Sequence, residues 1–318
     1  MTTAWVLGSG GLLGAALCRS LRLNGTDLFF PAERFRWASA SQFVPQVKAA
    51  VQAFAASVGA TEHWEIYWAA GVGTMGSSEG DLGLETRFLT LLLRLVESEP
   101  CLLAKPGAVA FASSAGAIYA GSPDCIITEN TPPAPTTAYG REKLLQEDLV
   151  RAIADANRRR AVLLARFSTL YGPGQSFGKQ QGLLAHMARC ILRSRPIQIY
   201  VPLDTIRDYI AADDAAAEMI TALRAIGQDP RVVTKIIASE QPTTIAEIIS
   251  IFRRIARRAP RVITSASNLT GIYPRRVQFQ SVVAPKCVRA PGTSLFVGIA
   301  QVMAAERSAF VRSPTAGG

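Results

Sequence analysis

"WVLGSGGLLGAALCRSL", residues 5–21, places Gly8, Gly10, Gly11 and Gly14 between two apolar runs. Residues 3–7 read as a short strand. Leu13, Ala16, Leu17 and Leu21 recur at helical spacing over 11–23, with Gly25 as the stop. A strand that enters a glycine-rich turn and leaves it as a helix is an arrangement that grips a pyrophosphate. Gly8 allows the tight turn, Gly11 lets the backbone approach the anion, and Gly14 lets the helix pack close to the sheet. The helix N-terminus then turns unbonded N–H groups toward the phosphates. Gly8, Gly11, Leu13 and Gly14 are therefore the candidate contacts of a dinucleotide. A glycine triplet also serves plain tight turns, so the rest of the chain has to decide.

Outward from that turn, strands alternate with helices. "DLFFP" (27–31) is a strand closed by Pro31, 41–57 a helix, and "WEIYWAAG" (64–71) a buried strand ending in small residues. A helix at 81–97, the strand "GAVAFASSAG" (107–116), a Pro-rich loop at 123–137, a helix from Tyr139 to Ala156 and the strand "AVLLARFS" (161–168) follow. No hairpin signal interrupts them, which implies a parallel sheet covered on both faces. After Gly172 the pattern changes. "YGPGQSFGKQQG" is a turn-rich loop, 182–193 a helix, and "IQIYVP" a strand. "TTIAEIISIFRRIARR" is an amphipathic helix with Thr244 and Glu247 as a capping box. The last 40 residues show no clear period.

Two further sets of residues carry chemistry. Tyr139 and Lys143 are four apart on a helix and share a face. A tyrosine with a pKa of about 10 is a poor base at neutral pH, and a nearby ammonium favours its phenolate and lowers that value. Such a pair removes a proton from an alcohol, or gives one to a ketone, as a hydride moves. The pattern also arises by chance on a surface. Ser114 ends an apolar strand 25 residues before Tyr139, where a hydroxyl holds a reacting oxygen or simply bonds the strand end.

Together these features resemble the extended short-chain dehydrogenase/reductases, in particular the NAD(P)-dependent nucleotide-sugar epimerases and dehydratases. The resemblance covers residues 3–250 and rests on the glycine turn, "WAAG", "SSAGAIYAG", Tyr139-x-x-x-Lys143, "RFSTLYGPGQ" and "IRDYIAADD" in the family's order and spacing. It implies an α/β, Rossmann-type doubly wound sheet over residues 1–172, to which about 203–240 returns. Residues 173–202 and 241–318 would form a smaller substrate-binding lobe. It also implies Tyr139 as catalytic acid/base, Lys143 as its activator and a cofactor ribose ligand, and Ser114 as the substrate-orienting hydroxyl. Ala69, Ala70 and Gly71 would line the cofactor cleft. Thr169, Gln181 and Arg207 would face the substrate, with Arg207 on its diphosphate, where a guanidinium forks onto phosphate oxygens. Arg207 has the alternative of pairing with Asp204 or Asp208. Asp213 and Asp214 read as helix caps. Homodimerisation is a family expectation.

The departures narrow the reaction. Many relatives have an Asn where this chain has Thr169. The family's dehydratases carry an Asp-Glu pair after the catalytic hydroxyl residue, whereas Ala115-Gly116 follow Ser114 here, which disfavours water elimination. NAD-specific sites place an acid roughly 20 residues after the glycine turn, on the ribose 2′-OH. In "FFPAERFRW" (29–37) Pro31 and Ala32 occupy those positions. Arg34 and Arg36 follow, and arginine accepts a 2′-phosphate, which favours NADP over NAD; a small shift of register would instead bring Glu33 to the ribose. The expected activity is nucleotide-sugar epimerisation, with an NADPH-dependent keto-sugar reductase as the alternative. A non-catalytic NADP-binding scaffold is the rival from another class, and the presence of Ser114, Tyr139 and Lys143 argues against it.

Composition bounds these readings. With 318 residues and 49% apolar content, the chain can bury one large core with a smaller lobe. No apolar run is long enough to span a bilayer, and no signal peptide is evident. Five scattered cysteines without a CxxC pair, and only two histidines, point away from disulfides and a metal site and toward a reducing cytoplasm. From Ile251 onward 11 basic residues face one acid, Glu306, so this segment carries the whole net charge of +10. An anionic small substrate or a solvated arginine face accounts for it better than nucleic acid.

Overall fold

The computed structural model describes residues 1–312 except 38, 60, 72, 75, 76, 157–159, 176–181, 228–230, 266–275 and 285–291. β1 (Thr2–Leu7) runs into α1 (Leu12–Leu23), and β2 (Asp27–Phe29) returns beside β1. α2 (Ala40–Val58) leads to β3 (His63–Trp68). α3 (Glu79–Ser98) and the short α4 (Pro100–Leu103) lead to β4 (Gly107–Ser114), and α5 (Ala115–Ile118) and α6 (Ala138–Ala156) to β5 (Arg160–Phe167). Then come β6 (Thr169–Tyr171), α7 (Leu183–Leu192), β7 (Ile197–Ile199), β8 (Ile206–Ala211), α8 (Ala212–Ile226) and β9 (Val232–Ile237). β10 (Pro242–Thr244), α9 (Ile245–Ala256), β11 (Val262–Thr264) and α10 (Leu295–Arg312) complete the described elements.

Six strands form one sheet in the order β2-β1-β3-β4-β5-β9, and every pairing is parallel. The central strands show why. All eight residues of β5 are buried, so it faces apolar layers on both sides, as parallel strands do. One layer is α2, α3 and α6, with Phe43, Phe54, Phe88, Leu92 and Val150 packed over Trp5, Trp64 and Trp68. The other is α1 and α8, with Leu17, Leu21, Met219, Ile220 and Leu223 against Ala4, Ala110 and Leu163. This is a Rossmann-like, doubly wound α/β architecture. Strand order reverses direction between β1 and β3, which opens a crevice at their carboxyl ends.

The smaller lobe is mixed. β10 runs antiparallel to β8, β8 parallel to β6, and β11 parallel to β7. Its core gathers α7, α9 and α10 around Leu184, Met187, Ile248, Phe252, Ile299, Val302 and Met303. The capping box at α9 is formed in both directions. α10 corrects the sequence analysis, which found no period there. Its buried stripe is Gly298, Ile299, Val302, Met303 and Glu306, a helical spacing that two members obscure. Gly298 reads as a breaker and Glu306 as surface, while the apolar Phe296, Val297, Phe310 and Val311 are exposed. Gly298 is needed because a Cβ there would lie 2.1 Å from the Tyr171 hydroxyl. Glu306 is buried because Arg189 of α7 bonds both its oxygens at 3.0 Å.

Candidate active site

The turn after β1 is built on its glycines. Gly8 has φ +84°, a left-handed conformation, and a Cβ there would lie 2.6 Å from both Ala69 O and Ala70 N. The exits of β1 and β3 therefore touch backbone to backbone. Gly11 N–H donates to Gly8 O at 2.9 Å. A Cβ on Gly14 would lie 2.1 Å from Gly8 O, so only glycine lets α1 start this close to the turn. Gly11 precedes α1 with extended backbone and no side-chain cap, and Ala15 N–H is bonded back to Gly11 O at 2.9 Å. The N–H groups of the first helical turn, residues 12–14, thus lie ahead of the intrahelical ladder. Leu13 offers only its backbone, because its side chain is turned into the α1–α8 core. A cradle closed to a Cβ at Gly8 and Gly14, with helix N–H groups above it, fits a dinucleotide pyrophosphate.

Ser114, Tyr139 and Lys143 meet at the end of β4. Ser114 ends the strand and caps α5, accepting from Ala117 N at 3.3 Å, and its hydroxyl is hydrogen-bonded with the Tyr139 phenol. The Lys143 ammonium lies 5.7 Å from the centre of the Tyr139 ring and 5.1 Å from that of Phe111. It donates to Glu85 Oε1 and to Gln146 Oε1, each at 2.9 Å. Burial, the largest single effect, works against the ammonium, but Glu85, Tyr139 and Glu147 together raise Lys143 above the ordinary lysine range. Tyr139 departs from the expectation of a lowered pKa. Burial pushes its phenol up, Lys143 pulls it down, Glu85 pushes it up again, and the net shift is upward. The lysine is present, but its charge is compensated.

Glu85 is the residue the sequence analysis missed. Its signal is its place on the buried face of α3, at helical spacing from Leu82, Phe88, Leu89 and Leu92. A carboxylate on such a face requires a buried partner. A Cβ on Gly71 would lie 3.1 and 3.2 Å from the two Glu85 oxygens. Glu85 therefore lies between the wall formed by Ala69, Ala70 and Gly71 and the ammonium of Lys143. Beneath the site, Ser113 Oγ donates to Glu147 Oε1 at 2.7 Å, and Arg166 grips both Glu147 oxygens at 2.9 and 2.6 Å.

The remaining candidates are spread around the crevice. In the segment after β2, Phe35 and Trp37 turn inward onto Trp5, Phe43 and Trp68 while Arg34 and Arg36 are exposed. Gln46 organises this segment. It donates to Glu33 Oε2 at 3.0 Å and to Arg34 O at 3.4 Å, and accepts from Arg36 N at 3.0 Å. Thr169 is exposed on β6, and Arg207 is half-buried on β8 with Nη1 on its neighbour Ile206 O at 2.8 Å. The Asp208 carboxylate is engaged elsewhere, by Ser239 and by Gln241 N. Gln181 lies outside the described residues. Asp213 and Asp214 are not caps. They sit in the first turn of α8, Asp213 paired with Arg19 at 2.5 Å and Asp214 accepting from Thr293 N at 2.7 Å. Among the described residues, no group of three His, Cys, Asp or Glu side chains is placed to hold a metal ion. No described helix is long and apolar enough to cross a membrane.

A parallel sheet with a glycine cradle at its switch point defines the dinucleotide-binding α/β class. The chain belongs to the NAD dependent epimerase/dehydratase family, whose profile matches residues 4–234. The dTDP-L-rhamnose 4-epimerase of Burkholderia thailandensis is 31% identical over 125 residues, 39% of this chain and 33% of that protein. The dTDP-4-dehydro-6-deoxyglucose reductase of Escherichia coli is 31% identical over 121 residues, 38% of each. The matched stretch thus spans only about a third of these relatives' length. Among solved structures, MoeE5 in complex with UDP-glucose and NAD superposes with a TM-score of 0.77 at 18% identity, covering 98% of this chain and 100% of that one. The UDP-glucose 4-epimerase of Thermotoga maritima, with UDP-glucose, gives 0.75 at 17% identity over 98% and 100%. RMD of Pseudomonas aeruginosa, complexed with NADPH, gives 0.69 at 19% identity over 97% and 100%. At these identities the likeness is one of fold.

Proposed function

We propose that the chain is a nucleotide-sugar epimerase acting by reversible hydride transfer at a sugar carbinol carbon. The supporting observation is the continuous path from the glycine cradle through Ala69, Ala70 and Gly71 to Glu85, Lys143, Tyr139 and Ser114. NAD(P), held by the glycine cradle and the Ala69–Gly71 wall, would supply the hydride acceptor and then the donor. Ser114 holds the substrate oxygen. Tyr139 takes the hydroxyl proton as the carbinol C–H is lost as hydride, which leaves a ketone. After the ketone turns in the site, hydride returns to its other face and Tyr139 gives the proton back. Lys143 holds its ammonium beside the phenol through both steps, and Arg207 offers a guanidinium to the substrate diphosphate.

A second reading, an NADPH-dependent keto-sugar reductase, is favoured by one observation. Arg34 and Arg36 are exposed after β2 while Glu33 is held by Gln46, an arrangement that suits a 2′-phosphate. Tyr139 as a phenol then protonates the carbonyl oxygen once. The test is to release and identify the cofactor of the purified protein, then incubate a nucleotide-sugar panel without added cofactor. A retained oxidised cofactor and a stereoisomer product are expected; protein that only consumes NADPH with a keto sugar would establish the reductase instead. Tyr139→Phe is expected to lower kcat by about 10²- to 10⁴-fold, and unchanged turnover would refute the assigned acid/base.

A further inference from the structure

The chemistry of a Tyr–Lys pair rests on the ammonium favouring the phenolate. Here that ammonium is held from the opposite side. The side chains of Lys143 and Glu85 are each only 6% exposed and meet at 2.9 Å. Gln146 braces both: its carbonyl accepts from Lys143 at 2.9 Å, and its amide donates to Glu85 Oε1 at 3.4 Å and to Thr86 Oγ1 at 2.9 Å. Thr86 Oγ1 in turn donates to Glu142. Among the described residues, the charged groups acting on the phenol are thus Lys143 on α6 and Glu85 on α3. Ser114 at the end of β4 adds a hydrogen bond, and Glu147 acts on Lys143 from farther along α6. With the phenol neutral, Lys143 and Glu85 sum to zero charge. Loss of the Tyr139 proton would leave a net negative charge in a site closed to water on the α3 side, which a low-dielectric interior resists.

We propose that Glu85 is a positioning residue for the Tyr139–Lys143 pair. It fixes the ammonium from the α3 side and cancels its charge, so that Glu85 and Lys143 together govern when Tyr139 can take and give its proton. The proposal rests on Tyr139 being the acid/base of the site. It gives Glu85 a functional reason to interrupt the apolar face of α3. Glu85 also sets the pH above which Tyr139 can accept the hydroxyl proton of the substrate.

The test substitutes Glu85→Gln, which keeps the shape and the acceptor oxygen for Lys143 but removes the charge. Tyrosinate absorbance of the cofactor-free protein is titrated with and without Tyr139→Phe, so that the difference isolates Tyr139. In E85Q the site with a neutral phenol carries a net positive charge, and losing the proton restores neutrality. The Tyr139 transition is therefore expected about one to two pH units lower than in the unaltered chain, with the acid limb of kcat/KM moving in the same direction. Should the amide not be tolerated, Glu85→Met fills a similar volume without the charge and is expected to shift the transition the same way. A folded variant in which Tyr139 titrates as before would overturn the proposal. Turnover that survives Tyr139→Phe would overturn the acid/base assignment while leaving the titration itself readable.

Discussion

Gly14 and Gly10 belong to one turn and to opposite situations. A Cβ on Gly14 would sit 2.1 Å from Gly8 O and 2.6 Å from Gly8 C, both backbone atoms that no rotamer change can clear. A Cβ on Gly10 meets nothing within 4 Å. Gly14→Ala is therefore expected to destabilise the chain by about 1–3 kcal/mol or more, as overpacking against a fixed backbone does, and to weaken dinucleotide binding. Gly10→Ala is expected to stay within about 0.5 kcal/mol of the unaltered chain. Urea midpoints of the two variants check this directly; equal midpoints would mean that α1 can move off the turn. The glycine cradle, Ser114, Tyr139 and Lys143 were all legible because each is marked by spacing along the chain. Glu85 was not. Its partner Lys143 is 58 positions away, and nothing in a helical period says which buried face meets which. The upward shift of Tyr139 is not legible either, because its largest cause is burial, with Glu85 adding to it, and the spacing of Tyr139 and Lys143 shows neither.

Strands and helices of the large sheet were legible because strongly apolar runs of alternating period leave little freedom in a parallel sheet. The smaller lobe was harder, and α10 shows why: its packing needs a glycine against Tyr171 and a buried Glu306–Arg189 pair, both of which look like surface or loop in sequence. α9 is the opposite case, since its start is written locally. Thr244 Oγ1 accepts from Glu247 N at 3.1 Å and Thr244 N donates to Glu247 Oε2 at 2.7 Å. Thr244→Ala is expected to cost about 1 kcal/mol, measured by chemical denaturation at neutral pH. The carboxylate of Glu247 adds a pH dependence. The backbone N–H and then the hydroxyl of Thr244 hold its pKa below the usual glutamate value. A folded pKa below the unfolded one means that the ionised form is favoured in the fold. The contribution is present above the ordinary glutamate range and is lost as pH falls through the folded value. Glu247→Gln is therefore expected to be less stable than the unaltered chain at neutral pH and equal to it in strong acid. A gap that persists in acid would assign the effect to packing.

The charge of the molecule is segregated: residues 251–318 carry +10 and the other 250 balance. Some of those basic residues are already engaged. Arg258 bonds Ile191 O and Ser194 Oγ, Arg254 stacks on Phe296, and Arg253 and Arg254 stand in the last turn of α9, where the helix dipole favours cations. The guanidiniums to which the proposed reading gives a ligand are instead the exposed Arg34 and Arg36, in the segment after β2 that Phe35, Trp37 and Gln46 hold in place. Because the cofactor binds the folded chain and not the unfolded one, its preference is measurable as stability of the entire protein. Ligand at 100 times its Kd adds about 2.7 kcal/mol, and each tenfold difference in affinity at equal concentration changes that by about 1.4 kcal/mol. NADP is thus expected to raise Tm more than NAD at the same concentration. Replacing Arg34 and Arg36 with serine should erase the difference by lowering the NADP shift and leaving the NAD shift in place. If NAD gives the larger shift in the unaltered chain, Glu33 leaves Gln46 to meet the ribose. Gln46→Ala would then strengthen NAD binding by freeing that carboxylate, which separates the two cofactor choices with one further variant.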